Sequence, residues 1–384
     1  MIYLDYHATT PLDPRVLAAM RPYLEVEFGN PSNTLYLSGR RAAAAVEDSR
    51  EKVAALIGAR PHELVFTSGA TESNNLAILG VARASTERRK MVSTPIEHKS
   101  VLEPLRYLSS LGFEAVYLPV DLYGRVDLEA AQRLIDEETL LVSVQAANNE
   151  IGTLQDIAQI VAIAKAHGAL VHTDAAQAVG KIPVDVETWG VDLLSISAHK
   201  LYGPKGVGAL YVREGLRKAP LVPLAFGGGQ EGGLRPGTLN VPGIVGLGEA
   251  CALAYREMYQ EADRVRRLRD RLEEGIKERI PGVKVNGELE HRLPGNSSLT
   301  FPGVEADALI LNMPELALSM GSACNSGALE PSYVLTAIGL SREDASSTVR
   351  IGIGRFTQAE EVEIVVGKIT EAYFHLIDLT KGAP

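Results

Sequence analysis

Through the first two-thirds of the chain, short apolar runs alternate with stretches whose apolar positions recur every three or four residues. The runs at 63–66, 90–93, 115–118, 140–145, 169–173, 193–197 and 208–212 read as strands. Helical spacing fills several of the gaps. In one, Val46, Val53, Leu56 and Ile57 share a face, and Gly58 follows where a left-handed C-cap belongs. Strands alternating with helices imply βαβ units and a mostly parallel sheet. In such sheets ligands gather at the carboxyl ends of the strands.

From about Cys251 the pattern changes. A charged helical run with one apolar face extends from Tyr255 to Arg279 and stops before Pro281-Gly282. Short strand candidates follow at 283–285, 298–301 and 349–351, and a closing helix at 359–379. This reads as a smaller α+β domain, with no low-complexity segment, linker or internal repeat.

Composition narrows the class. With 384 residues, 46% hydrophobic and 22% charged, the chain is expected to be a soluble two-domain protein. A net charge of −10 argues against direct binding to nucleic acid or to an anionic membrane, both of which need a basic face. Cys251 and Cys324 are the only cysteines, so a disulfide framework is excluded and a reducing, cytoplasmic setting is expected. Met1 to Tyr6 lacks the basic and apolar parts of a signal peptide, and charges such as Lys165 interrupt every long apolar stretch. The eight histidines show no metal-ligand spacing, so no metal is expected.

Candidate chemistry collects where strands end. In Ser195 to Gly206 an apolar run closes on Ser197-Ala198-His199-Lys200, then a Gly/Pro turn. A lysine just beyond a buried strand can be desolvated, which lowers its pKa and frees its amine for Schiff-base chemistry. Another run ends in Asp174, 26 positions before Lys200, far enough for a helix and a return strand. A third, Phe66 to Asn75, passes through a small-residue turn into a helix whose N-terminus suits a phosphate. His98 follows a fourth run and could stack on a flat ring or carry protons. Asn148-Asn149 follows a fifth. Taken singly, each has an ordinary structural explanation: a surface lysine, an N-cap aspartate, a capped helix, a core histidine, a turn.

The two cysteines differ in setting. Cys324 lies in Met320-Gly321-Ser322-Ala323-Cys324-Asn325-Ser326-Gly327, where small polar neighbours favour an accessible thiol. Cys251, in Glu249-Ala250-Cys251-Ala252-Leu253, looks like a buried structural residue.

Together these segments resemble the NifS/IscS cysteine desulfurases, class V enzymes of the fold-type I pyridoxal-phosphate group. The likeness runs nearly end to end, from Tyr3-Leu4-Asp5-Tyr6-His7-Ala8-Thr9-Thr10-Pro11 through Ser197-Ala198-His199-Lys200 and Gly227-Gly228-Gly229-Gln230-Glu231 to Gly321-Ser322-Ala323-Cys324 and Arg350 to Thr357. It implies an α/β large domain, 14–255, with a mostly parallel mixed sheet, and a small α+β domain, 1–13 and 256–384, carrying the cysteine. It implies pyridoxal phosphate attached to Lys200, with Asp174 at the ring nitrogen and His98 stacked on the ring. Gln177 and Asn149 would lie at the ring oxygen, and Ala70, Thr71, Ser197 and His199 at the phosphate. Thr238 would reach in from the second subunit of a homodimer. Arg350, with Asn149, would bind the carboxylate of L-cysteine. Cys324 would accept its sulfur, and Lys200 and His98 would move protons. A sulfur-acceptor protein, an iron–sulfur scaffold or a sulfur carrier, would take the product.

The chain departs from the family pattern at Tyr36, Gly232, Pro236, Met320 and Asn325, in the dimer-edge and cysteine segments. The alternative is another class V reaction, selenocysteine lyase or aminotransferase; a simple aminotransferase has no use for Cys324. A non-catalytic platform would be marked by loss of Lys200, Asp174 or Cys324, and all three are present.

Overall fold

The structure is a computed structural model that describes residues 1–217, 221–320 and 331–381. Cys324 lies outside the described residues. The strands in chain order are β1 (Ile2–Tyr3), β2 (Leu64–Thr67), β3 (Lys90–Ser93), β4 (Glu114–Tyr117), β5 (Thr139–Ser143), β6 (Leu170–Asp174), β7 (Leu193–Ser197), β8 (Gly208–Val212), β9 (Lys284–Val285), β10 (Asn296–Thr300), β11 (Leu316–Ala317) and β12 (Thr348–Gly352). The runs expected at 90–93, 193–197 and 208–212 are strands with those bounds, and the others shift by one or two residues. Glu63 belongs to a short 3-10 turn, Pro61–Glu63, because its carboxylate accepts from the Arg60 backbone N–H and closes that turn.

Seven strands form the main sheet in the order β2-β8-β7-β6-β5-β3-β4. All neighbours are parallel except β8, which runs against both β2 and β7. The single reversal leaves β2, β7, β6, β5 and β3 pointing the same way, so their carboxyl ends share one edge. Nearly every residue of β7 and β8 is buried, as a sheet covered on both faces requires.

The helix expected from Tyr255 begins earlier and runs unbroken from Val241 to Arg279. Asn240 caps it through Oδ1 to the Gly243 N–H, and Pro242 sits in the first turn, where its missing N–H is harmless. The glycines of its first half hide it from a propensity reading, yet they permit close packing. A Cβ on Gly248 would lie 2.7 Å from the Cα of Ser49, on the Leu37–Ile57 helix that Gly58 ends in left-handed geometry. The same long helix serves two cores. Val241, Leu247, Cys251 and Ala254 pack in the large one, and Val265, Leu268, Leu272 and Ile276 in a second one with Leu4, Phe301, Ile351 and Ile369.

The second core covers the antiparallel sheet β12-β10-β9. β1 pairs with β11, and Asp5 bridges to Gly352, so the N-terminal strand is tied to the C-terminal part of the chain. Among the described residues, no helix is long and apolar enough to cross a membrane, and no group of three or more His, Cys, Asp or Glu could hold a metal ion.

Candidate active site

Each strand that ends at the common edge delivers a polar group there. β6 ends in Asp174, whose Oδ1 accepts from the Ala176 N–H at 3.0 Å and whose Oδ2 accepts from Asn74 Nδ2 at 2.7 Å. Beside it β7 ends in Ser197, and one 3-10 turn, Ala198–Lys200, carries the chain to Lys200. The pairing of Asp174 with Ser195 sets the two strand ends side by side.

Lys200 Nζ donates to the carbonyls of His7 and Ala8 at 2.6 and 2.7 Å. Both acceptors are neutral, and burial, followed by the charge of Arg350, lowers its pKa to about 8. An unprotonated, nucleophilic amine is therefore available much nearer neutrality than for a free lysine. His199 next to it meets Thr9 Oγ1 through Nδ1 at 3.1 Å, and burial holds its pKa down at about 4, so the ring is neutral.

β2 passes through Ser68-Gly69 into the Ala70–Ala84 helix. Gly69 has a φ of +146° and the helix has no side-chain cap, so the N–H groups of its first turn remain available. A Cβ on Gly208 would lie 2.7 Å from the Cα of Gly69, so only glycine lets β8 start against this turn. Ser197 Oγ borders the same turn, 3.8 Å from the place of a Gly69 Cβ. The positive end of the helix dipole and the Ser197 hydroxyl together make a cradle suited to an anion.

His98 caps the Lys99–Ser110 helix, with Nδ1 accepting from the Ser100 N–H at 3.1 Å. The ring is open on one side, yet crowding by its surroundings lowers its pKa; Lys200 and Lys99 add to the drop and Asp174 opposes it. Beneath it Glu97 is fully buried: Oε1 accepts from Thr94 and the Gln145 N–H, while Oε2 has no partner. Burial raises this carboxyl to a pKa of about 8, so it is held neutral at pH 7.

Gln177 is engaged at both ends. Nε2 donates to the His7 carbonyl at 2.9 Å, and Oε1 accepts from Lys181 Nζ at 2.8 Å and faces His7 Nδ1 at 3.3 Å. Burial, and then Lys200, lowers the Lys181 pKa to about 7. Arg350, on β12, reaches back to the large domain. Nη1 donates to the Asn149 carbonyl at 3.0 Å, Nη2 to Asp5 Oδ1 at 2.8 Å, and Nε is buried without a partner.

The structure thus brings Lys200, Asp174, His98, Gln177, Ser197, His199, Ala70, Thr71, Asn149 and Arg350 to one edge of the sheet and the small-domain strand facing it. Thr238 is exposed, on the loop that the Arg235–Glu72 ion pair ties to the first turn of the Ala70–Ala84 helix at 3.0 Å. Cys251 is fully buried, and burial pushes its thiol far above the ordinary range. Sequence reasoning left Asn74, Ser100, Lys181 and Asp5 without roles. Asn74 had a usable signal: it follows Ala70 by one helical turn, on a helix that starts at a strand end. A separate cleft of about 710 Å³ between residues 121–129 and 154–160 is lined by none of these groups.

Comparison with known proteins is consistent with this geometry. The family model "Aminotransferase class-V" matches residues 2–365. The chain is 51% identical over 357 residues to the cysteine desulfurase IscS of Anaeromyxobacter dehalogenans, spanning 93% of this chain and 88% of that protein. A solved NifS-like protein superposes with a TM-score of 0.90 at 40% identity, covering 96% of this chain and 98% of the other. SspA, solved in complex with cysteine, superposes with a TM-score of 0.82 at 38% identity, over 93% of this chain and 100% of the other.

Proposed function

The chain belongs to the class-V aminotransferase family, whose members work with pyridoxal phosphate, and from that premise we propose that it is a cysteine desulfurase. On this reading it takes sulfur from L-cysteine onto Cys324 and releases L-alanine. The observation that carries the reading is the pairing, on adjacent strand ends, of a lysine with a lowered pKa and a buried carboxylate.

The residues fit the cofactor. Lys200 supplies the amine that would attach it, and Asp174, already supported by two donors, would accept from a protonated ring nitrogen. The uncapped Ala70–Thr71 turn with Ser197 and His199 would hold the phosphate, His98 would cover the ring, and Gln177 with Asn149 would border its oxygen. Bound there, pyridoxal phosphate supplies a sink for the charge left when a proton leaves the α-carbon of the substrate. The Lys200 amine would take that proton and return one to the product. Arg350 holds the substrate carboxylate, for which its partnerless Nε is available.

The Cys324 thiolate attacks the substrate sulfur. An S–S bond forms as the C–S bond breaks, the electron pair stays with the substrate carbon, and protonation there gives alanine. His98 carries protons at the thiol steps. Both flanks of residues 321–330 are anchored beside the site, which supports a role for this segment. Ser319 exchanges backbone hydrogen bonds with Arg350, Ser332 Oγ donates to the Glu150 carboxylate, and Tyr333 OH donates to the Glu97 carbonyl at 2.7 Å.

We further propose a homodimer, in which Thr238 of one copy reaches the phosphate site of the other. The exposure of Phe28, Leu35 and Phe226, each more than four-fifths open, supports a surface covered by a second copy. A cytoplasmic setting and a protein acceptor suit a thiol that must stay reduced and pass sulfur on. The test is incubation of the protein with pyridoxal phosphate, cysteine and a thiol reductant, measuring alanine and sulfide beside Cys324→Ala. Equal yields from wild type, and almost none from a variant that keeps its cofactor absorbance, support the reading. Equal activity of the two proteins overturns the role of Cys324 and favours a direct lyase reaction.

A further inference from the structure

Asn74 is wholly buried at the edge of the site, and Ser100 nearly so. A carboxylate accepts and never donates, so the group 2.7 Å from Asp174 Oδ2 is the Asn74 nitrogen, not its oxygen. That nitrogen carries two hydrogens, and the second meets Ser100 Oγ at 2.8 Å. Ser100 is therefore an acceptor on this side, and its own hydroxyl hydrogen is free to point elsewhere. The group in reach is His98 Nδ1, 2.7 Å away. Nδ1 also receives the Ser100 backbone N–H, which requires a lone pair there. Two donors aimed at one ring nitrogen leave the proton of the neutral imidazole only one place.

We propose that Asn74 and Ser100 are positioning residues, a directed hydrogen-bond relay from the Asp174 carboxylate to His98 that keeps the imidazole neutral with its proton on Nε2. The relay rests on the proposed reaction for its use, since Nε2 becomes the nitrogen through which His98 serves the thiols, but not for its geometry. Protonating Nδ1 would turn an N–H against the fixed Ser100 backbone donor and force the Ser100 hydroxyl to rotate away, so the relay opposes the charged ring. The ionic groups bearing on the ring are Asp174, which favours the charge, and Lys200 and Lys99, which oppose it. Reversing the Asn74 amide would set its oxygen against the carboxylate and turn the Ser100 hydroxyl toward Asn74 instead of His98, so the Asp174 contact fixes the direction of the chain.

The test is ¹⁵N NMR of the cofactor-loaded protein labelled at histidine, with the His98 signals identified by their loss in His98→Gln. The expected wild-type spectrum at neutral pH shows Nε2 protonated and Nδ1 bare. Ser100→Ala removes the strongest donor to Nδ1 and should move the His98 titration midpoint upward, by roughly five- to tenfold in the protonation equilibrium for one hydrogen bond. Ser100→Thr, which keeps the hydroxyl, should restore it. Asn74→Ala should move it the same way by less. A wild-type ring protonated on Nδ1, or a Ser100→Ala midpoint equal to wild type, overturns the relay. Because the spectrum is read without turnover, a protein that shows the expected tautomer yet makes no alanine supports the relay and counts only against the desulfurase reading.

Discussion

The site has two ends, and they are finished to different degrees. At the Asp174 end the charged groups are matched before anything binds, Asp174 with Asn74 and the Ala176 N–H and Lys200 with two carbonyls, and the buried atoms left without a partner, Asn74 Oδ1 and Glu97 Oε2, belong to neutral groups. At the Arg350 end a buried guanidinium, its side chain 4% exposed, holds Asp5 and one carbonyl and keeps Nε idle. A buried unpaired donor is costly in a resting protein. On the proposed reading, the first end holds the cofactor and the second the substrate carboxylate that comes and goes.

The hardest blow to the first end is Lys200→Ala. Alanine production from cysteine should fall at least about a thousandfold, since the amine serves both as anchor and as proton carrier. The pH at which the unloaded protein captures pyridoxal phosphate sharpens the same point. The capture rate should climb through about pH 8, the lowered Lys200 pKa, and a climb that waits until the pH range of ordinary lysines would refute the burial argument.

At the second end, Arg350→Lys keeps the charge and removes the fork. Loss of charge-assisted hydrogen bonds to a carboxylate should lower kcat/KM for cysteine by roughly ten- to a hundredfold, chiefly through KM. A fall confined to kcat would place Arg350 elsewhere in the reaction.

Glu97 provides a subtler probe beneath the first end. Its folded pKa is raised from 4.5 to about 8, so the native state holds a proton that the unfolded chain releases between those values. Its contribution to stability is fully present below pH 4.5 and is lost as pH rises toward 8. Glu97→Gln should remove this component of the decline, seen in urea unfolding at several pH values; an unchanged slope would mean the carboxyl is ionised in the folded protein as it is in the unfolded chain. The smallest effect is expected from Cys251→Ala, buried in the large core away from the edge. Cysteine turnover should stay within about twofold of wild type, with a loss of roughly 1 kcal/mol in stability for the vacated sulfur.

Much of the first end was legible because its main groups lie at or a few residues past strand ends, and strands announce themselves as apolar runs. The run at 169–173 stops one residue short of Asp174, and the run at 193–197 three short of Lys200. The relay was not legible. Asn74 sits inside a helix and Ser100 in the first turn of another, and nothing in their own segments says that the two helices bring them to within 2.8 Å. The start of the long helix was missed for a related reason: glycines lower helix propensity, and close packing of Gly246 on Met20 and Pro204 and of Gly248 on Ser49 accounts for their presence.

Local pattern and motif were enough for the class of fold, for placing the lysine, aspartate and histidine segments at strand ends, and for the burial of Cys251, because those depend on residues close in the chain. Pairing over long distances was a matter for folding. Asp5 meets Arg350 across almost the whole chain, and Lys200 and Gln177 both rest on the His7 carbonyl. Such contacts follow from the order of strands in a sheet and from one helix shared by two cores. They set which donors are satisfied, and so which groups are charged and which remain ready for a ligand.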